Sequence, residues 1–449
     1  MMHNRNILNL ELQKTGIGAS KLQNTKFYAL LAALTVLIGN LCLSPVISSL
    51  MNSVVIGSTG QILTATVTAA SGHWRDIQNA VDAAAVYGIA DVYIPEGEWK
   101  FVEVGEAWTG TAVNIPVGVN VFGASTERDA NGQVIEWKTV LTMPWDVPGG
   151  DANPVRWFRI VGNSNPIKSS RFSDIKLVGY RTINPDSTSM HLGLRIENVL
   201  NFRVDHCFFL NTAAGAVMAT GSSLQNGLDT VCGVIDHCKI VNTKGSPAPY
   251  DTRTIDYGVY VSRGSGWSYN YEPWETNAAE VLGKYTDYTV FIEDCYLEKW
   301  RHCVAVGHGG HAVVRYSTIA NDYAYGSIDI HGNPPGRAIE IYNCTIIDAI
   351  PGGQVYATFI RGGAGVAFNN VVGGGTYSTF IYLSNENSDS EYWVNDWYIW
   401  DSTMLSGCHE ITEYDPNNQI TEGISYFRYA PGWYTSYPYP HPLTLDETP

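Results

Sequence analysis

From about residue 155 onward, a short pattern of apolar and polar residues recurs along the chain. Each copy starts with an apolar residue, passes through polar residues to a mostly small one, and returns to apolar residues, as in 204–210 (VDHCFFL) and 235–241 (IDHCKIV). The fourth position of the eight copies holds Ile175, Cys207, Cys238, Cys295, Ser317, Cys344, Asn370 and Ser402. Successive intervals are 32, 31, 57, 22, 27, 26 and 32 residues, and we interpret the interval of 57 as two repeats.

Repeats of this length, with strand patterns and no helical period, predict an all-β solenoid in which each coil stacks on the next. The coils would lie roughly 4.8 Å apart, the usual distance between paired strands. Equivalent residues of successive coils would therefore form columns. Turns of different length would protrude from a constant core, and binding loops would be found there.

Their shared repeat position predicts that four cysteines are free thiols. Disulfides are common in exported proteins, but these thiols share one repeat position, so we expect them to stack inside the solenoid as small apolar side chains. No Cys-x-x-Cys spacing indicates a metal site. The pairing of Cys232, Cys303 and Cys408 stays open. The four column thiols are Cys207, Cys238, Cys295 and Cys344.

A helix is predicted before the repeats. Ile77, Ala80, Val81 and Ala84 recur at helical spacing, and Gly88 ends the pattern. Short strand patterns follow at 91–97 (DVYIPEG) and 119–123 (VNVFG). Together these segments resemble the capping helix and first strands of pectin-lyase-like proteins.

The resemblance covers residues 72 to about 410 and implies a right-handed parallel β-helix (solenoid) with a short N-terminal capping helix. It does not decide the function, because that superfamily includes polysaccharide lyases, glycoside hydrolases, adhesins, phage tailspikes and surface-layer components.

The N-terminus predicts export. Residues 27–51 are mostly apolar, and no Asp, Glu, Lys or Arg occurs from residue 27 to 72. This stretch is long enough to form a transmembrane helix, as a signal anchor, or it is a cleaved signal peptide. Basic residues before it favour a cytoplasmic tail at 1–26 and an extracellular location for the rest. We expect a linker at 52–71, the β-helix domain at 72–425, and an aromatic, Pro-rich tail at 426–449 that packs along the solenoid.

Composition narrows the choice of partners. Apolar residues make up 45% of the chain, and 44 glycines suit many short strands joined by tight turns. The net charge of −16 argues against a nucleic-acid partner, which requires a basic surface. A polysaccharide or cell-surface glycan remains as the expected partner, with the membrane contacted through the N-terminal helix.

Candidate functional residues are densest from Trp300 to Glu340. The ends of four equivalent strands would bring Arg263, His308, His331 and Arg361 to one edge of successive coils, with His311 and Arg337 in the turns that follow. Such a column could bind a uronate or a sulfated sugar. Trp267 and Trp274 could stack on sugars. The alternative is that these residues cap turns and form surface ion pairs.

Lyase chemistry on a uronate needs a cation that neutralises the carboxylate and a base that removes the adjacent proton. Arg263, Arg337 or Arg361 would be the cation, and His308 or His331 the base, with Asp329 orienting the imidazole. Asp322 and Asp329 could instead hold Ca²⁺.

A polygalacturonase-type hydrolase is disfavoured. Arg301 and His302 occupy the place where that family has a carboxylate pair, and an inverting hydrolase needs two carboxyl groups. The favoured hypothesis is therefore a cell-surface-anchored protein that binds carbohydrate or neighbouring surface proteins, and the alternative is a polysaccharide lyase that acts by β-elimination.

Overall fold

The computed structural model describes residues 65–445, except for 89, 107, 109, 125–126, 131, 148–154, 163–168, 184–190, 213, 222–229, 244–255, 265–276, 322–325, 332–333, 349–355, 376 and 387–389. The predicted transmembrane segment 27–51 lies outside the described residues and stays a prediction. In the described ranges, no helix is both long enough and apolar enough to cross a membrane.

One α-helix, α1 (Trp74–Tyr87), precedes most of the strands, as the periodicity predicts. Its buried residues are Ile77, Ala80, Val81 and Ala84. Asp76 lies in the first turn, where a negative charge favours the helix. Gly88 ends the helix with φ +68°, a left-handed conformation that glycine adopts without steric cost.

The described residues otherwise form short strands and four 3₁₀ helices, at Tyr180–Thr182, Ala278–Glu280, Ser390–Tyr392 and Pro442–Thr444. In chain order the strands are β1 Thr66–Thr68, β2 Asp91–Tyr93, β3 Gly97–Lys100, β4 Thr111–Pro116, β5 Asn120–Phe122, β6 Glu127–Arg128, β7 Val134–Glu136, β8 Thr139–Thr142, β9 Val155–Val161, β10 Arg171–Ser173, β11 Ile175–Val178, β12 His191–Glu197, β13 Phe202–Asp205, β14 Phe208–Leu210, β15 Gly215–Thr220, β16 Gly233–Asp236, β17 Lys239–Val241, β18 Tyr257–Ser262, β19 Thr289–Glu293, β20 Tyr296–Glu298, β21 His302–Gly307, β22 His311–Arg315, β23 Thr318–Asn321, β24 Ile328–Ile330, β25 Ala338–Tyr342, β26 Thr345–Asp348, β27 Tyr356–Ile360, β28 Gly363–Phe368, β29 Val371–Gly373, β30 Thr379–Ser384, β31 Val394–Trp400, β32 Thr403–Met404, β33 His409–Tyr414 and β34 Tyr426–Phe427.

Three long parallel sheets contain all of these strands except the β6–β7 hairpin. Sheet A has the order β1-β2-β5-β10-β13-β16-β19-β22-β25-β28-β31-β34. Sheet B has the order β3-β8-β11-β14-β17-β20-β23-β26-β29-β32, and sheet C the order β4-β9-β12-β15-β18-β21-β24-β27-β30-β33. Each coil contributes one strand to each sheet, which makes the parallel β-helix that the repeat predicts. Because β1 already belongs to sheet A, the solenoid begins inside the segment 52–71 that we expected to be a linker.

The repeat corresponds to the end of a sheet A strand and the turn into sheet B. Its first position forms a column of fully buried residues: Phe172, Val204, Ile235, Ile292, Val314, Ile341, Ala367 and Ile399. Its third position has a positive φ of 49° to 58° in every copy: Asp174, His206, His237, Asp294, Tyr316, Asn343, Asn369 and Asp401. Asn, Asp and His tolerate this conformation better than other residues with a side chain, which explains why they dominate this position.

The fourth position fastens each turn to the coil before it. The thiols of Cys207, Cys238, Cys295 and Cys344 donate to backbone carbonyls of the preceding coil at 3.5–3.6 Å. Asn370 takes the same role, since its side-chain amide donates to the carbonyl of Ile341 at 2.9 Å. The cysteines are free and stack inside, as predicted.

The interpretation of the 57-residue interval as two repeats is wrong. Ile235 in β16 pairs directly with Ile292 in β19, so a single coil spans the interval. The additional residues lie between these strands in the chain, where insertions leave the stacked strands unchanged.

The C-terminal tail lies on the outside of sheet A. Tyr437 packs edge-on against Phe291 with ring centroids 4.8 Å apart, and Tyr439 stacks on Tyr316 at 3.7 Å. The fully buried carboxylate of Glu340 joins the tail to the sheet. It accepts hydrogen bonds from the hydroxyls of Tyr434 (2.7 Å) and Tyr437 (3.1 Å).

Removing either hydroxyl should destabilise the protein, because Glu340 would keep its buried charge with one donor fewer. We expect Tyr434→Phe and Tyr437→Phe to lower the free energy of unfolding by about 1–3 kcal/mol each, measured by urea denaturation. Tyr429→Phe is the control, because Tyr429 is 54% exposed. Equal stability of all three variants and the wild type would show that the tail does not depend on Glu340.

Candidate functional site

The candidate site lies on the outer face of sheet C. Val259, Val304 and Ile328 point inward and are fully buried. Tyr257 and Tyr260 are three residues apart, yet their rings stack with centroids 5.5 Å apart. The strand is therefore irregular between them, and both rings lie on the outside.

Asp329 is the centre of the site. It follows Ile328 in β24, so its side chain points away from the core, where it pairs in register with Ala305 on one side and Phe359 on the other. The small side chain of Ala305 leaves room beside the carboxylate. Asp329 is nevertheless fully buried, because other side chains surround it.

Two neighbouring groups contact this carboxylate. His331 Nδ1 lies 2.7 Å from Asp329 Oδ2. Arg361 Nη2 lies 2.6 Å from the same oxygen, and Arg361 Nε lies 3.2 Å from Oδ1. Arg361 Nη2 also contacts the His331 ring. The bidentate guanidinium and the imidazole thus share one carboxylate.

Aromatic rings complete the site. Tyr257 contacts the rings of His302 and His331, each with centroids 5.4 Å apart. His302 Nε2 lies 3.6 Å from Asp329 Oδ2, and its Nδ1 lies 2.7 Å from the carbonyl oxygen of Gly326. Gly307 allows the close approach of Tyr260, since a Cβ there would meet the tyrosine hydroxyl at 2.6 Å.

A partly exposed aromatic strip continues from the site toward the C-terminal end of sheet C. We define it as Tyr356, Phe359 and Tyr382. The rings of Tyr356 and Tyr382 stack at 4.4 Å, and the Arg361 guanidinium lies 4.7 Å from the centroid of Phe359. Aromatic faces of this kind provide rigid apolar contact area for a ligand.

The electrostatics follow from burial and from these contacts. Burial would raise the pKa of Asp329, but the charge of Arg361 and the nearby histidines hold it well below the usual range. Burial lowers the pKa of His302 to about 3 and also lowers that of His331. Both imidazoles are therefore neutral at pH 7. Burial raises the pKa of Tyr257, which keeps its hydroxyl protonated.

The structure brings together only part of the predicted Arg/His column. Arg263 and His308 are level with each other, because the Arg263 N–H donates to the His308 carbonyl oxygen at 3.2 Å. Val306 pairs with Ile330, and Ile330 pairs with Ile360. His331 is therefore in register with Arg361, but its register is shifted by one residue from His308. The Arg263 guanidinium instead lies 4.3 Å from the ring centroid of Tyr288.

One predicted position is wrong. His311 is not in a turn of this edge: it begins β22 in sheet A and is fully buried, with Nε2 3.0 Å from Glu340 Oε1. It belongs to the next sheet because the turn after β21 is short. Arg337 lies in the turn between β24 and β25, as predicted, but it is buried there, and its charge acts on Asp396. Trp267, Trp274 and Asp322 lie outside the described residues.

Sequence analysis missed Tyr257 as a site residue and gave no role to His302. Each is the first residue of its strand, and the two are 45 positions apart in the chain but directly paired in register. A complete alignment of the sheet C strands would have identified this pair.

His302, Asp329 and His331 could offer three ligand atoms to a metal ion, since these atoms all lie within 4.8 Å of one another. Two nitrogen donors do not match the oxygen ligands that Ca²⁺ prefers. Arg361 already supplies positive charge to the same carboxylate oxygen, so a divalent ion there would lie against a guanidinium.

Protonation of His302 should destabilise the fold. Imidazole in an unfolded chain titrates near 6.5, so the unfolded state binds more protons than the native state between that pH and about pH 3. The free energy of unfolding should fall as the pH falls through this range, and His302→Gln should flatten the slope by up to about 1.4 kcal/mol per pH unit. Urea denaturation at a series of pH values measures this.

His237→Gln is the control with the opposite sign. Hydrogen bonding to Asp236 outweighs burial and raises the pKa of His237, so its stabilising contribution is present below about pH 6.5 and is lost as the pH rises through the native pKa. Its removal should lower stability mainly at acid pH. An unchanged slope in His302→Gln would contradict the neutral buried state of His302.

Comparisons with known proteins give no family for this chain. No family model matches this chain. No curated protein matches it either. Among solved structures, the A-module of mannuronan C-5 epimerase AlgE6 from Azotobacter vinelandii is similar over 77% of this chain and 95% of its own, with 12% identity and a TM-score of 0.37.

Two other solved structures have a similarly low sequence identity to this chain. An alginate lyase from Paenibacillus sp. str. FPU-7 covers 81% of this chain and 97% of its own, with 13% identity and a TM-score of 0.33. A tailspike protein double mutant of E. coli bacteriophage HK620, in complex with pentasaccharide, covers 78% and 61%, with 14% identity and a TM-score of 0.42. On the evidence of its three parallel sheets, the chain has the right-handed parallel β-helix fold.

Proposed function

We propose that the protein binds a uronate-containing polysaccharide along the outer face of sheet C and cleaves it there by β-elimination. One observation carries the proposal: the partly exposed His331 is held by the buried Asp329 beside an aromatic strip. A histidine fixed in this way, neutral at pH 7, is suited to removing a proton from a bound sugar.

His331 is the proposed base. When Nδ1–H donates to Asp329, the lone pair of Nε2 is available to a substrate. The imidazole would take the proton from the carbon next to the uronate carboxylate. The electrons of that C–H bond form a C=C bond, the glycosidic C–O bond breaks, and the leaving oxygen takes up a proton.

Arg361 is proposed as a positioning residue and not as the cation that binds the substrate carboxylate, because two of its nitrogens are engaged by Asp329. It holds Asp329 in the ionised form, and Asp329 holds the His331 ring. Arg301 is the better candidate for the substrate carboxylate. It is partly exposed, and its charge acts on Tyr257, His302 and His331.

Binding without turnover is the second candidate function, and a specific observation favours it. The residues that the structure describes include two further Asp–His pairs of the same kind, in which His206 Nδ1 lies 2.7 Å from Asp205 and His237 Nδ1 lies 3.0 Å from Asp236. Such a pair can therefore be a structural element of this solenoid. A non-catalytic protein would use the same face to hold a glycan at the cell surface, where residues 27–51 would anchor it.

The test is turnover of uronate polymers by the full-length protein in detergent, followed by the absorbance of unsaturated uronate ends. If His331 is the base, His331→Gln should reduce kcat at least about 100-fold. His237→Gln is a matched control, because its side chain is 22% exposed against 24% for His331 and has the same Nδ1 partner type. It should retain wild-type kcat.

Two outcomes would decide against the lyase. If no polymer in a panel of polyuronates yields unsaturated product, the protein is not a lyase for these substrates, and polymer binding alone would support the second function. If product forms but His331→Gln and His237→Gln have equal rates, the reaction takes place elsewhere on the protein.

A further inference from the structure

A second charged cluster lies near the N-terminal end of sheet C. It consists of Arg156 and Arg159 in β9 with Arg195 and Glu197 in β12. Arg159 pairs in register with Arg195, so their side chains lie side by side on neighbouring strands.

Positive charge is in excess within this cluster. Glu197 accepts a hydrogen bond from Arg159 Nε at 2.8 Å and also pairs with Arg195. In the part of the chain that the structure describes, one carboxylate thus faces three guanidinium groups. The Nε of Arg156 is buried, and no described residue accepts a hydrogen bond from it.

Burial and the nearby positive charges lower the pKa values of two of these arginines. Burial, together with the charge of Arg195, lowers the pKa of Arg156 to about 10. Burial also lowers the pKa of Arg195. An anion bound between these guanidinium groups would reduce their mutual repulsion and supply a hydrogen-bond acceptor for the Nε of Arg156.

The cluster shares the outer face of sheet C with the His331 site. The register runs without interruption from Arg195 through Met218, Tyr260 and Ala305 to Asp329. These four strand steps span about 19 Å at roughly 4.8 Å per step. Met218, which pairs in register with Arg195, packs against the buried residues Leu192 and Ala214.

We propose that Arg156, Arg159 and Arg195 form a distal subsite that binds a carboxylate or sulfate group of a polymer lying along sheet C. The inference deepens the proposed function, since it places the substrate along the solenoid axis, but it depends only on binding and not on turnover. A polymer long enough to reach both sites would contact the cluster, whereas short oligomers would occupy the His331 site alone.

The experiment measures binding of polygalacturonate to the full-length protein, with neutral dextran as the uncharged polymer. The double variant Arg159→Gln/Arg195→Gln should bind the polymer at least about tenfold more weakly, the effect of losing one charge-assisted hydrogen bond. Glu197→Gln should bind more tightly, because it removes the competing carboxylate. Arg75→Gln is the control: Arg75 is 62% exposed, pairs with Glu106 and lies in α1, not on a strand of sheet C.

Dextran sulfate in place of polygalacturonate distinguishes a sulfate from a carboxylate preference. Arg159→Gln alone serves as a milder variant if melting shows that the double variant is unfolded, because the Arg159 side chain is 32% exposed. Polymer affinity equal to that of the wild type in a folded variant would overturn the subsite.

Oligogalacturonates of graded length separate this inference from the proposed reaction. The double variant should match the wild type on short oligomers and differ once the oligomers reach the cluster. If turnover depends on His331 but the arginine variants bind the long polymer normally, the subsite is wrong and the lyase proposal stands. If no turnover occurs and the arginine variants still lose affinity, the subsite stands without the lyase.

Discussion

In-register stacking of parallel strands is the constraint on which the rest of this structure depends. Each coil supplies one strand to each of three sheets, so a residue and its counterpart in the next coil lie only one strand spacing apart. The buried column from Phe172 to Ile399 and the column of thiols and amides beside it both follow from this register. Between these columns, one residue with a positive φ turns each coil sharply from sheet A to sheet B, and this keeps successive coils aligned.

The same stacking makes buried charge tolerable on the outside of the sheets. Asp329 on sheet C and Glu340 on sheet A are both fully buried, and each receives donors from several coils or from the tail. The two carboxylates differ in whether a side chain bound to them stays accessible to a ligand. The donors of Glu340 fix the C-terminal tail, whereas Asp329 orients an imidazole that is still partly exposed next to aromatic rings. The aromatic rings beside His331, and not an Asp–His pair or a partly exposed imidazole, distinguish the candidate site from the pair at His237.

Much of the candidate site could be predicted from strand equivalence. The sequence pattern placed Asp329 and His331 at the end of one sheet C strand and Arg361 at the end of the next, and the structure brings them into contact. It could not predict that His308 lies one residue out of step with His331, because the stagger depends on how each turn closes. The prediction for His311 was wrong for a related reason. The turn before it is short, so His311 lies in sheet A, where Glu340 and the tail bury it.

The amino-acid sequence by itself determined the solenoid, because a repeat with one buried column can satisfy that column only by stacking on itself. It also determined the inward thiols and the bounds of the capping helix, since both depend on local spacing. Only the tertiary structure decided which charges meet. The residues of the His331 site and of the arginine cluster are tens of positions apart in the chain, and their contacts depend on turn lengths and strand irregularities that the periodic pattern does not encode.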